Sequence, residues 1–419
     1  MNTNTIHTGD AFDVLPELPD ESVHAVVTDP PYGLAFMGRD WDDFEPKEYQ
    51  EWCERWAREV KRVLKPGGHL LAFSGNRTHH RLFTGVEDAG FEIRDTLTWH
   101  YGSGFPKASD VSKTIDKRAD AEREVVGTKA NQPGYADTES NGKIRPTEHA
   151  GGYDGYLDET APATDAAKKW DGWKTGLKPA TEFVVMARKP YDGATVDSVL
   201  ENGTGALNID GCRVEGGERP NREHDHDDDR DLFNVNSDIR PGKAKGTTTE
   251  GRYPANVVFD ETTADALDRE VGELETGGGD KSDKKEYTKD QPVPRDENKG
   301  KIYERTKGGP SRYFYTSKAS RSERTEGGAI QNDHPTVKPG DLMEWLIRLV
   351  TREGQVVLDP FTGSGTTCMA AKGLGRGFIG IERQAKYADI ARVRCGLTPD
   401  DPSSVREDDV VGLEAFGDD

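Results

Sequence analysis

One stretch constrains this chain more than any other: Val356-Val357-Leu358-Asp359-Pro360-Phe361-Thr362-Gly363-Ser364-Gly365-Thr366-Thr367. A short apolar run reads as a buried strand. The glycines then allow a tight turn whose backbone can approach a ligand closely, and a helix follows. Residues 334–396 supply the surroundings such a unit needs. DLMEWLIRLVT reads as an amphipathic helix, QVVLDPF as a buried strand and TTCMAAKGLGR as a helix; GFIGIE is a second strand and KYADIARVRC a helix. This strict alternation predicts an α/β fold on a parallel sheet.

The loop also narrows the ligand. It has no Lys, so it is not the phosphate-binding loop of an NTPase, and it lacks the third glycine of GxGxxG. Glu382 ends the strand GFIGIE, about 20 residues on, where an acidic side chain can hold ribose hydroxyls. The pattern fits a ligand with adenosine but no pyrophosphate, and S-adenosylmethionine is such a ligand.

Residues 1–100 read as another α/β segment. HAVVTDPPYG (24–33) is a short apolar run stopped by Pro-Pro, hence a strand. In 47–64, Trp52, Trp56, Val60 and Leu64 form one stripe of a helix packed on a sheet. LKPGG ends that helix, and HLLAFSG (69–75) is the next strand. At the C-terminal end of the first strand lie Asp29, Pro30, Pro31 and Tyr32, where open α/β sheets gather ligand groups. These residue types suit one reaction. An exocyclic amino nitrogen is a poor nucleophile because its lone pair is delocalised into the ring. Two acceptors against its two hydrogens, the Asp29 carboxylate and the Pro30 carbonyl, would free that pair. The second proline fixes the carbonyl, since its ring locks φ. Tyr32 would stack on a base swung out of a duplex.

Residues 101–330 differ. EFVVMARKP (182–190) and YPANVVFD (253–260) are strand-like islands between charged stretches such as 222–231 and 276–301, which read as solvated inserts. His224 and His226 stand among aspartates of such a loop, and no metal site is expected there. The four cysteines include no CxxC pair, so reduced thiols are expected rather than zinc or disulfides. No apolar run approaches the ~18 residues of a membrane span, and the N-terminus carries no secretory signal; the expected location is cytoplasmic. The tail, 397–419, is acidic and expected to be loose.

The formal net charge is −21, which sits awkwardly with phosphate contacts. Either the protein does not bind nucleic acid, or acidity covers a solvated surface around a local basic cleft. The second reading is adopted, because the pervasive acidity and low hydrophobicity resemble proteins of salt-loving organisms, where salt screens repulsion.

Together DPPY and DPFTGSGTT resemble the amino-methyltransferases that act on adenine N6 or cytosine N4 in DNA. The catalytic motif precedes the cofactor motif, as in the family's permuted β class. HTGDAFDVLPELPDESVHAVVTDPPYG is similar to the family's opening, which implies that Asp10 contacts the cofactor's adenine. HPTVKP (334–339) is similar to the segment lining its methionine end, which implies Thr336 and Lys338 there. WHYGSGFPK, LKPATEFVVMARKP, RYPANVV and YFYTSKASRSER resemble segments of phage and prophage members.

The resemblance implies a class I S-adenosylmethionine-dependent methyltransferase fold. That is a mostly parallel seven-stranded sheet with one antiparallel edge strand and helices on both faces. Residues 1–100 would be the catalytic half, 101–330 the target-recognition region with acidic inserts, and 331–396 the cofactor half. Cofactor residues would be Asp10, Thr336, Lys338, Asp359, Pro360, Phe361, Gly363, Ser364, Gly365, Thr366, Thr367 and Glu382; the catalytic ones would be Asp29, Pro30, Pro31 and Tyr32. Ser103, Lys107, Arg312, Lys318, Arg321 and Arg324 are candidates for contact with double-stranded DNA. DPPY favours adenine N6. Cytosine N4 is the alternative, and an RNA or protein amide a more distant one. A homodimer, a companion restriction endonuclease and the recognition sequence stay open.

Overall fold

The computed structural model describes residues 2–34, 44–102, 108–130, 156–215, 219–223, 243–276, 306–317 and 337–401. The chain packs as two units, one made of residues 1–102 and 180–419, the other of Ser103–Pro179. In the first unit the strands of the main sheet are β1 (Thr5–Thr8), β2 (Val23–Thr28), β3 (Leu64–Ser74), β4 (Glu92–His100), β5 (Thr181–Arg188), β6 (Val257–Asp260), β7 (Tyr315–Ser317), β8 (Val356–Asp359) and β9 (Gly377–Glu382). Their order across the sheet is β1-β9-β8-β2-β3-β5-β4-β6-β7. Every pairing is parallel except the two made by β5, which runs antiparallel to both β3 and β4. The principal helices are α1 (Ala11–Val14), α2 (Pro46–Val63), α3 (His79–Asp88), α4 (Thr195–Asn202), α5 (Glu261–Val271), α6 (Gly340–Val350), α7 (Thr366–Gly373) and α8 (Ala385–Arg394).

The alternation of side chains along each strand divides the core. Ala25, Val27, Leu71, Phe73, Val184, Met186, Val357 and Phe378 face one side, where α6, α7 and α8 bury Leu342, Leu346, Cys368 and Ala391. Val26, Leu70, Ala72, Val185, Ala187, Leu358 and Ile379 face the other, under Trp56, Val60, Leu82 and Val86 of α2 and α3. Helices therefore cover both faces, as a mostly parallel sheet requires.

Two expectations are corrected. Among the described residues the sheet has nine strands rather than seven, and its antiparallel strand lies inside rather than at an edge. Residues 184–187 are apolar on both faces, and such a strand gains most when neighbours also cover its two edges. The two islands of the middle region become β5 and β6, and β7 extends the sheet beyond β6. The region 101–330 thus supplies three strands of the main sheet as well as the separate unit.

Helix α2 shows why local chemistry succeeds. Pro46 occupies its first turn, and Glu45 and Glu48 form a capping box. Tyr49, Cys53, Trp56, Ala57, Val60 and Val63 make its buried stripe. Pro66 disfavours helical backbone at Lys65. The helix stops at Val63, and β3 begins at once with LKPGG, five residues before the strand expected at 69–75.

The second unit has a helix, Val111–Arg118, an antiparallel hairpin of Val125–Ala130 with Tyr156–Thr160, and a short helix, Asp165–Lys169. Its anchor is the buried Asp116 carboxylate. Arg123 Nη1 (2.5 Å), Ala163 N (2.9 Å), Thr164 N (3.0 Å) and Thr164 Oγ1 (2.7 Å) donate to it.

All four cysteines are buried and none is in a disulfide. Among the described residues no helix is long and apolar enough to cross a membrane, and no group of His, Cys, Asp and Glu is placed to hold a metal. His224, His226, the stretch 277–300 and most of the acidic tail lie outside the described residues.

Histidine 69 gives the fold a measurable pH dependence. It is buried in β3, and burial, with Arg188 and Arg94 adding, lowers its pKa to about 4. An unfolded histidine titrates near ~6.5, so the unfolded chain binds the extra proton first. The stability held by neutral His69 is complete above that value and is lost as pH falls toward 4. We expect the urea midpoint of His69→Gln to fall less between pH 7 and 4.5 than that of the natural protein. Parallel curves would refute the assignment.

Candidate active site

Strands β2 and β8 are parallel neighbours, with Val357 opposite Ala25 and Leu358 opposite Val26. Their C-terminal ends carry the two motifs onto one edge of the sheet. Thr28 Oγ1 donates to Asp359 Oδ1 at 2.6 Å, and Phe361 N donates to the same oxygen at 3.1 Å. This tie sets Asp29 one residue from the side chain that anchors the glycine loop. Burial pushes the Asp359 carboxyl up to about 6, against the hydrogen bonds from Thr28 and Thr367. Thr28→Val removes one donor from this buried group. We expect it to cost ~1 kcal/mol in urea unfolding; an unchanged midpoint would deny the tie any role in stability.

The loop is built for closeness. Gly363 and Gly365 have φ of 52° and 87°, a region that favours glycine. From behind, the buried Arg394 of α8 donates to Ser364 O at 2.7 Å and reaches Ser364 Oγ and Thr366 Oγ1, each at 3.2 Å. Those two hydroxyls therefore pin the loop. Phe361 packs against Trp52 and Trp56, with ring centres 5.3 and 5.6 Å away.

Next along the edge, Glu382 ends β9. Its oxygens accept from Gly363 N at 3.0 Å and Gln384 N at 2.8 Å, and burial raises its pKa. Thr8 pairs with Glu382, and Gly9 N donates to Glu382 O at 2.9 Å. Asp10 follows directly and caps α1 through Phe12 N at 2.9 Å. Asp10, Glu382 and the glycine loop thus converge from β1, β9 and β8. Two carboxylates beside a loop free of Lys and Arg suit the hydroxyl and amino groups of an adenosine moiety, and nothing in the loop suits a pyrophosphate.

Around Asp29 the structure adds a group that the sequence did not single out. Tyr32 OH lies 2.8 Å from Asp29 Oδ1 and 3.0 Å from Glu182 Oε2. Lys338 Nζ donates to Asp29 Oδ2, lies 3.4 Å from Glu182 Oε2 and 3.3 Å from Tyr32 OH, and sits 5.0 Å from the Phe73 ring centre. The two carboxylates hold the Lys338 pKa above its ordinary value despite burial. Burial, then Asp29 and Glu182, push the Tyr32 phenol well up. Tyr49 OH donates to Pro31 O at 2.9 Å and so holds the double-proline turn. The resemblance implied Lys338 at the methionine end of the cofactor; its ammonium rests on the proposed acceptor carboxylate.

Glu182 was missed for a topological reason. It begins an apolar strand, and only the antiparallel direction of β5 brings that start to the edge where the parallel strands end. The one signal available was a carboxylate leading an apolar run.

The DNA-contact candidates fare differently. Arg312 lies in a short 3-10 turn, Pro310–Tyr313, before β7. Its Nη2 donates to Leu274 O at 2.9 Å. β7 is five strands from β2 in the order of the sheet. Ser103, Lys107, Lys318, Arg321, Arg324 and Thr336 lie outside the described residues.

Similarity to known proteins spans nearly the whole chain in one case and a short segment in another. The chain is 24% identical to the type II methyltransferase M.HindIII of Haemophilus influenzae, over 94% of this chain and 95% of that one. It is 56% identical to M2.DpnII of Streptococcus pneumoniae over 61 residues, which are 15% of this chain and 23% of that one. Among solved structures, the cytosine-N4-specific PvuII DNA methyltransferase aligns at 15% identity and a TM-score of 0.45, covering 96% of this chain and 92% of that one. The M1.HpyAVI–SAM complex aligns at 16% identity and a TM-score of 0.37, covering 93% and 98%. The N6_N4_Mtase signature, described as DNA methylase, matches residues 23–393, from the first residue of β2 into α8. With both motifs inside that match and meeting at one sheet edge, this chain belongs to the N6/N4 DNA methylase family.

Proposed function

We propose that the protein is a site-specific DNA methyltransferase that modifies the N6 amino group of adenine, in a base swung out of the duplex, with S-adenosyl-L-methionine as methyl donor. The observation that carries this reading is the Thr28–Asp359 tie, 2.6 Å long, which fixes Asp29 beside the glycine loop. Once bound, S-adenosyl-L-methionine supplies an electrophilic methyl group on a sulfonium.

The chain's own residues do the rest. Asp10 and Glu382 take the adenosine hydroxyl and amino groups, and the Gly363–Gly365 turn lets the donor lie close. Asp29 and the Pro30 carbonyl accept the two hydrogens of the target amino group and turn its lone pair toward the methyl. The nitrogen forms the new C–N bond while the sulfur–carbon pair stays on sulfur. The surplus proton on nitrogen then leaves by way of Asp29 to solvent. Holding the two reactants in line accounts for much of the acceleration.

An acidic acceptor in the first motif position supports adenine over cytosine. Single-molecule sequencing of DNA from cells expressing the protein should show N6-methyladenine in one sequence context. N4-methylcytosine there would replace adenine as the target. Unmodified DNA beside methylated RNA or protein would overturn the DNA reading.

A further inference from the structure

We propose that Glu182 is a positioning residue that draws the Lys338 ammonium and the Tyr32 proton off Asp29, leaving that carboxylate open to the target amino group. The proposal rests on Asp29 being the acceptor. Both Asp29 oxygens are engaged as the side chains stand, Oδ1 with Tyr32 OH and Oδ2 with Lys338 Nζ. An ammonium seated on a carboxylate withdraws the charge needed to polarise an amino N–H.

The same cluster holds a second seat. Glu182 Oε2 lies 3.4 Å from Lys338 Nζ and 3.0 Å from Tyr32 OH. The Tyr32 phenol has a single proton, so it serves one carboxylate at a time. Lys338 is 8% exposed and each carboxylate 18%. A group so shielded stays paired with one carboxylate or the other rather than drifting into water. A small rotation of the lysine tip toward Glu182 would keep the cation paired while freeing Asp29. Glu182 also lies in the interior strand β5, where Trp99 of β4 is its register partner. Two carboxylates sharing one cation make the exchange possible; one carboxylate would hold the lysine fast.

The test is single-turnover transfer at saturating cofactor. Glu182→Gln should slow it roughly 10- to 100-fold, the range a misplaced catalytic group can cost, with KM for cofactor unchanged. Glu182→Asp should recover part of the rate. In a Lys338→Gln background, Glu182→Gln should add less than it costs alone, because its effect on the lysine is gone and only the Tyr32 proton remains to be drawn off. An unchanged rate in Glu182→Gln overturns the proposal, as does a full, additive loss in the Lys338→Gln background. Should Glu182→Gln melt early, Glu182→Asp and the double variant carry the decision. The companion variant Asp29→Ala separates the two readings. If it retains activity, the acceptor assignment fails; if it is inactive while Glu182→Gln is normal, only the role of Glu182 fails.

Discussion

Asp29→Ala should abolish methyl transfer and leave cofactor affinity within a few-fold of the natural protein. Removing a group that polarises the reacting centre costs on the order of 1000-fold in rate. The fold should survive, because Lys338 keeps a half-buried carboxylate partner in Glu182 at 3.4 Å. The cofactor side should survive as well. Glu382 and Asp10 leave from β9 and β1, and the backbone donors that hold them do not involve Asp29. Transfer is read with a radiolabelled methyl group and affinity by calorimetry. Appreciable labelling of DNA by the variant would remove Asp29 from the chemistry. A collapse of cofactor binding instead would assign Asp29 to the donor rather than the acceptor.

The second large effect is expected at Gly365. A Cβ there would lie 2.7 Å from the Ala391 Cβ and 2.9 Å from its Cα, with φ at +87°. An L residue in left-handed backbone loses about 1–2 kcal/mol, and overpacking a close contact costs about 1–3 kcal/mol. Gly365→Ala should therefore lose ~3 kcal/mol in urea unfolding. It should also weaken cofactor binding, since the displaced loop carries the Gly363 amide that donates to Glu382 at 3.0 Å. Adding Ala391→Gly removes the 2.7 Å contact but leaves the 2.9 Å contact with the Cα and the backbone strain. The double variant should then recover part of the loss, with the two changes clearly non-additive. If Gly365→Ala is as stable as the natural protein, α8 does not pack against the loop as described.

How far the residues alone reach depends on the range of the interaction. Strand, loop and helix around Asp359 follow from neighbours in sequence: an apolar run, two glycines and a helix start. β2 and α2 follow in the same way, and so does the chemistry of Asp29-Pro30-Pro31-Tyr32, because those four residues are contiguous. The second half of the site is less local. Lys338 was read at the methionine end of the cofactor, yet its nearest charged partner is 309 residues away in the chain. Such a pairing is set by which strands become neighbours.

The amino-acid sequence by itself determined the two motifs, the α/β alternation and the class of reaction, since each rests on residues a few positions apart. Only the tertiary structure decided that the sheet has nine strands among the described residues, that β5 runs antiparallel in its interior, and that Glu182 therefore meets Lys338 and Tyr32 beside Asp29. Strand order and direction are choices among long-range pairings, made by burying both faces of the sheet at once. No local pattern encodes that sum, so the fourth member of the cluster comes into view only when the sheet is assembled.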